Sequence, residues 1–170
     1  LDYGIGIASG PMTVGVYGSR EHYFFSGMGP QTDYSRRLAH ANFRYGSDIL
    51  LGPETYRLIE SEFAMRPMEM IYDPEARTMT ELYQLLASLE QFSEEDKARR
   101  DRYRQGVIYI REAKYEEALE EISKAKNAGS DDGGVEFFIS APQKAIAKEA
   151  GADSSKDLSA EGHARLINLM

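Results

Sequence analysis

Arg37 closes the segment Thr32-Asp33-Tyr34-Ser35-Arg36-Arg37, and a guanidinium there is suited to phosphoryl oxygens. Its planar fork of donors can meet two oxygens at once. The plainer reading is an exposed i,i+4 pair with Asp33, worth a few tenths of a kcal/mol. Asp33 itself works against anion binding. A carboxylate near neutral pH only accepts hydrogen bonds, and it adds negative charge where the start of a helix otherwise favours an anion. As a helix-start residue it is well chosen. Ser26, in Tyr23-Phe24-Phe25-Ser26, carries a hydroxyl that could read a polar edge or be satisfied locally. Arg77 is the only cation in the net acidic stretch Asp73-Pro74-Glu75-Ala76-Arg77. His22, His40 and His163 share no ligand spacing with one another or with paired acids. With no cysteine in the chain, a zinc centre is unsupported.

The elements that must position these groups can be read from the pattern. Tyr3 to Ala8 and Met12 to Tyr17 are short β-branched or aromatic runs broken by Gly10-Pro11, which predicts a two-stranded hairpin. Glycines inside such strands imply bulges or close backbone approach. His22 to Ser26 follows as a strand. A helix is expected over Gln31 to Arg44, with Tyr34, Leu38, Ala41 and Tyr45 at helical spacing and Gly46 as its cap. Asp48 to Leu51 is a short strand, and Pro53 opens a helix carried to Phe63 by Tyr56 and Ile59. Met65 to Tyr72 and Thr78 to Ala87 are two further strands. This order predicts an α+β fold on a mixed sheet.

From Ser88 onward charge dominates. Ser93, followed by Glu94, Glu95 and Asp96, is an N-cap for a helix to about Arg111. A second helix runs from Tyr115 to about Asn127. Gly106, Tyr109, Ala118, Ile122 and Ala125 fall at the spacing of a tetratricopeptide repeat, with Arg102, Gln105 and Ser130 departing from it. An ordinary helical hairpin explains the pattern about as well. Val135 to Ile139 is ambiguous, while Pro142 to Ala150 and Ser159 to Leu169 are expected to be helical. The division is thus residues 1–87 and a helical segment, 88–170.

Composition limits the functional classes. The 170 residues are 42% hydrophobic and 28% charged, ordinary for a globular protein. No apolar run is long enough for a membrane helix. The net charge of −8 argues against general nucleic-acid binding. Absence of cysteine fits a cytoplasmic location. Strand pattern begins at Leu1 without a start methionine or signal peptide, so the chain reads as a fragment. Unpaired sheet edges would favour a dimer.

The run from Gly4-Ile5-Gly6-Ile7 to Gly18, then Tyr23 to Gly29 and Tyr34 to Leu38, resembles the second half of a class III nucleotidyl cyclase domain. The likeness extends from about Tyr3 to about Ala87. It implies a ferredoxin-like cyclase half-domain, here followed by an α-helical hairpin region. In the family's frame Arg37 stands at the transition-state arginine, and Asp33 replaces an asparagine. Pro30 replaces an aspartate, and Ser26 holds the purine-selecting position, leaning toward adenine. Arg77 lies near the place of the triphosphate-binding lysine.

The family converts ATP or GTP to a cyclic nucleotide and pyrophosphate between two protomers, with Mg or Mn. Its metal-binding aspartates belong to the earlier half of the domain, so this chain alone supports no metal. The resemblance therefore implies cyclic-nucleotide signalling, with weak or absent activity in this segment. A homodimer or cyclase-domain partner is expected. The alternative is a catalytically degenerate scaffold for dimerisation, with a protein partner on the helical tail.

Overall fold

Glycines at alternate positions let a helix lie directly on a strand, and that contact organises the first half of the chain. The computed structural model describes residues 3–73, 77–126 and 132–149. Strand β1 is Ile5–Ile7, and helix α1 is Pro30–Tyr45. A Cβ on Gly6 would fall 2.0 Å from the Ser35 carbonyl oxygen and 2.4 Å from the Ala39 nitrogen, and one on Gly4 2.5 Å from the Ala39 oxygen. No side chain fits between strand and helix. Ile5 and Ile7 point the other way, because side chains alternate along a strand, and both remain substantially exposed.

β1 pairs in parallel with β4, Ile49–Leu51, and β4 pairs antiparallel with β6, Thr78–Ser88. The last neighbour is β5, Phe63–Asp73, giving the order β1-β4-β6-β5. The described elements thus form the expected mixed sheet and helices of an α+β fold. The predicted hairpin between the first two strands does not form. β2, Thr13–Gly18, pairs instead with β3, Tyr23–Met28, as a separate antiparallel ribbon. The turn through Gly18 and Ser19 closes that ribbon, with Ser19 N–H bonded to the His22 carbonyl. β1 takes its hydrogen bonds from β4.

Helix α2 is Pro53–Ile59, shorter than predicted, because Phe63 belongs to β5. Pro67 is accommodated inside β5 by a break in register between Pro67 and Met70, as a residue without an N–H requires. α1 ends as read: Gly46 adopts the left-handed conformation at φ 60° and donates its N–H to the Asn42 carbonyl.

The second half consists of α3, Glu94–Arg111, α4, Tyr115–Ala125, and α5, Gly133–Glu149. Ser93 and Asp96 form a complete capping box at the start of α3. A Cβ on Gly106 would meet Ile122 Cγ1 at 2.3 Å, so that glycine permits the close α3–α4 crossing. α5 is one helix across the segment read as ambiguous, and it contains the buried Pro142. Proline there costs the bond to the Phe138 carbonyl, while Val135 and Phe138 are buried on the same face. Asn127, Gly129, Ala150 and the helix expected over Ser159 to Leu169 lie outside the described residues.

The buried core is continuous across both halves. Leu38 and Tyr45 of α1, Leu50, Met68 and Leu82 of the sheet, and Tyr103, Ile122 and Phe138 of the helices belong to one cluster.

Candidate functional site

α1 runs antiparallel to β1, since Gly6 lies under Ser35 and Gly4 under Asn42. Its first turns therefore project past the carboxyl end of β1 and of the parallel β4. β3 leads into this helix start through Gly29, whose φ of 153° suits glycine. Pro30 occupies the first helical position, and the helix has no side-chain cap. Its positive end is left to backbone groups and to Asp33 in the first turn.

Asp33 does not pair with Arg37. Its Oδ1 accepts a hydrogen bond from Arg36 Nη2 at 2.7 Å, in an exposed i,i+3 pair. The expected i,i+4 pair is thus replaced by a neighbour that points further into solvent. Arg37 is half-buried, and no described residue forms a hydrogen bond or ion pair with it. With no partner among the described residues, its donors are open to an anionic oxygen.

Ser26 is half-buried on β3, opposite Gly15 of β2. Its hydroxyl makes a long bond of 3.4 Å to the Gly27 carbonyl. A Cβ on Gly15 would have nothing within 4 Å, so the space beside Ser26 is open. Arg77 is exposed with φ 52° at the β5–β6 turn. It lies six residues before Tyr83, which is paired with Leu51 at the carboxyl end of β4. Arg77 is thus at the same end of the sheet as the start of α1, roughly 20 Å beyond β4 at strand rise. Ser26 thus lies on β3 three residues before Gly29, Asp33 and Arg37 lie on the first turns of the helix that follows, and Arg77 lies on the β5–β6 turn.

Two polar groups that sequence reading passed over hold this arrangement. Asn42 is buried, and its Nδ2 donates to the Ile5 carbonyl at 3.0 Å and the Leu38 carbonyl at 3.1 Å, while Ser47 Oγ donates to its Oδ1 at 2.8 Å. It fastens α1 to β1. Its signal was an amide within the stripe Leu38, Ala41, Tyr45. Arg66, buried on β5, donates to Gln84 Oε1 and to both carboxylate oxygens of Asp132, and lies 4.5 Å from the centre of the Tyr103 ring. Its signal was a charge among Ala64, Met65 and Met68.

Neither is a metal ligand set. Among the described residues no group of three or more histidine, aspartate or glutamate side chains is placed to hold a cation. Pro30 has no side-chain donor to offer one. The described residues therefore offer no such group for the Mg or Mn that the resemblance implies. His22 and His40 are exposed and apart in the fold, and His163 lies outside the described residues. No helix among the described residues is long and apolar enough to cross a membrane.

No protein-family model and no curated protein matches the chain. Among solved structures it is similar to the adenylyl cyclase CyaB from P. aeruginosa, with 26% identity and a TM-score of 0.43 over 52% of this chain and 44% of that one. It is also similar to the guanylate cyclase domain of RhGC from Catenaria anguillulae in complex with GTP, with 22% identity and a TM-score of 0.41 over 49% of this chain and 43% of that one. The chain spans less than half the length of either.

Proposed function

We propose that this chain supplies the base-and-phosphate side of a class III nucleotidyl-cyclase-like site in cyclic-nucleotide signalling, with the cyclase reaction weak or lost in the segment itself. The observation that carries the reading is the state of Arg37. It sits two turns into a helix seated on the Gly4-Ile5-Gly6-Ile7 strand and has no partner among the described residues. In a cyclase reaction the 3′-hydroxyl oxygen of a nucleoside triphosphate bonds to the α-phosphorus, its proton leaves, and the bond to pyrophosphate breaks. Arg37 would offset charge gathering on the phosphoryl oxygens in that step. Ser26, beside the open space at Gly15, would face the base. Asp33 in place of an amide removes a donor and adds negative charge, and the acidic surroundings of Arg77 weaken its claim on the triphosphate. ATP or GTP is the expected ligand, and the metal ligands would have to come from another segment or protomer.

The test titrates the chain with ATP and with GTP, each with Mn²⁺ or Mg²⁺, and measures nucleotide binding and cyclic product. Binding that Arg37→Ala weakens at least tenfold supports the reading, and Asp33→Asn should raise turnover. Absence of binding by either nucleotide overturns it.

The ribbon β2–β3 favours a second reading, a non-catalytic dimerisation platform. Val16, Tyr23 and Phe25 share one face of the ribbon and are 66%, 72% and 74% exposed. Apolar groups so placed suit a second copy of the chain or another cyclase-like domain. In that reading the helical segment offers its acidic and aromatic surface to a protein partner.

A further inference from the structure

The first turn of helix α5 is wedged against the C-terminal end of α1. A Cβ on Gly133 would lie 2.3 Å from the Gly46 carbonyl oxygen, and one on Gly46 would lie 2.8 Å from Gly133 Cα. Two glycines facing each other let the backbones touch. Beside them Phe137 meets Tyr45 edge to face at 4.8 Å, and the Arg44 guanidinium lies 5.6 Å from the Phe137 ring centre. Tyr45, 1% exposed, donates its hydroxyl to Glu69 of β5 at 2.8 Å. The end of α1 is therefore gripped between α5 and the sheet.

The N-terminus of α5 is fixed in turn. Asp132 accepts the Val135 N–H at 3.2 Å, capping the helix, and its carboxylate takes the fork of buried Arg66. A Cβ on Gly134 would meet Arg66 Nη2 at 2.4 Å, so a side chain there would have to displace the guanidinium from its place. Phe138 packs on Tyr103 at 5.5 Å. α1 contains neither glycine nor an internal proline between Gln31 and Tyr45, and so has no site at which to kink. Arg37 lies eight residues before Tyr45, about 12 Å along the axis.

We propose that α5 is a coupling strap: docked, it fixes where α1 lies on the sheet and so where the Asp33–Arg37 turns project, and released, it frees them. The two-state element is α5 itself, which a partner of the helical segment could bias in either direction. The proposal concerns position alone and stands whether or not the site turns over nucleotide.

Hydrogen exchange read by mass spectrometry on the full 170-residue chain tests it. In Gly133→Val, peptides over α5 and over residues 30–38 should both exchange at least tenfold faster, while the β2–β3 ribbon keeps its wild-type rate. Lys124→Ala, on the solvent side of α4, should change none of them. Faster exchange in α5 with residues 30–38 unchanged overturns the coupling, and so does unchanged protection of α5. Uniform loss of protection everywhere would show a global loosening and also overturns it. If Gly133→Val does not fold, Phe137→Ala, which leaves the backbone contact intact, is read by the same criteria.

Discussion

Replacing Gly6 with alanine should be far more damaging than the same change at Gly15, although both glycines lie in strands of the same motif. An ordinary contact for the new methyl is 3.4 Å or more, whereas at Gly6 it would meet the Ser35 oxygen at 2.0 Å. α1 must then retreat by about 1.4 Å, and a gap of even 0.5–1 Å forfeits roughly a quarter to a half of each facing contact. The side chains losing those contacts are Leu38, Ala41 and Tyr45, all within the core. Overpacking of this kind typically costs about 1–3 kcal/mol and occasionally more. Here the obstacle is backbone, which cannot rotate aside, so the cost should be about 4 kcal/mol. Alanine's lower entropy cost in a strand returns about 0.5–1 kcal/mol. The net loss is then about 3 kcal/mol, or roughly 6–12 °C in Tm for a chain of this size. At Gly15 a Cβ meets nothing within 4 Å, so only the favourable term remains, about 0.5 kcal/mol. Urea unfolding followed by circular dichroism measures both. A Gly6→Ala variant within about 0.5 kcal/mol of wild type would refute the seating of α1 on β1.

Two further outcomes follow from the same geometry. Asp132 has opposing influences: burial raises its pKa, but hydrogen bonding and charge from Arg66 outweigh that and hold it below 3.8. A carboxyl lowered in the folded state stabilises above its unfolded pKa and loses that contribution as pH falls through the folded value. Wild type should therefore exceed Asp132→Asn by about 3 kcal/mol, the lower end for stripping a partner from a buried charge. In urea titrations that difference should stay constant from pH 7 to about pH 5 and shrink below 3.8; a difference that grows in acid would contradict the assignment. For the ribbon, Val16→Lys combined with Phe25→Lys should shift sedimentation from dimer toward monomer without loss of helical signal, and a wild-type chain that sediments as monomer removes the platform reading.

What could be read from the sequence was whatever depends on neighbours along the chain. Gly46 closes α1, and Ser93 with Asp96 caps α3, because each signal acts within four residues. Pairing was less legible. Gly10-Pro11 marked a break correctly, but a break does not say which strand lies beside which. β1 found its partner in β4, more than forty residues away, because α1 could return over the two glycines. The long reach of α5 was hidden for a similar reason. Its proline suggested a boundary, and the burial of Val135 and Phe138 in the common core, with Phe138 on Tyr103 of α3, explains why the helix runs through it.

The site shows the limit of spacing arguments most directly. Asp33 has arginines three and four residues ahead, and both separations place side chains within reach on a helix. Spacing cannot choose between them. The surroundings of the helix do: Leu38 faces the core, Arg37 beside it is half-buried, and Arg36 points into solvent, as Asp33 does. The pair forms between the two exposed groups. The carboxylate four residues before Arg37 instead holds Arg36, so an aspartate at position 33 leaves Arg37 available among the described residues. Asp33→Asn should then release Arg36 and leave the environment of Arg37 unchanged. Any gain in nucleotide binding would come from the new amide donor and the removed charge, not from a freed guanidinium.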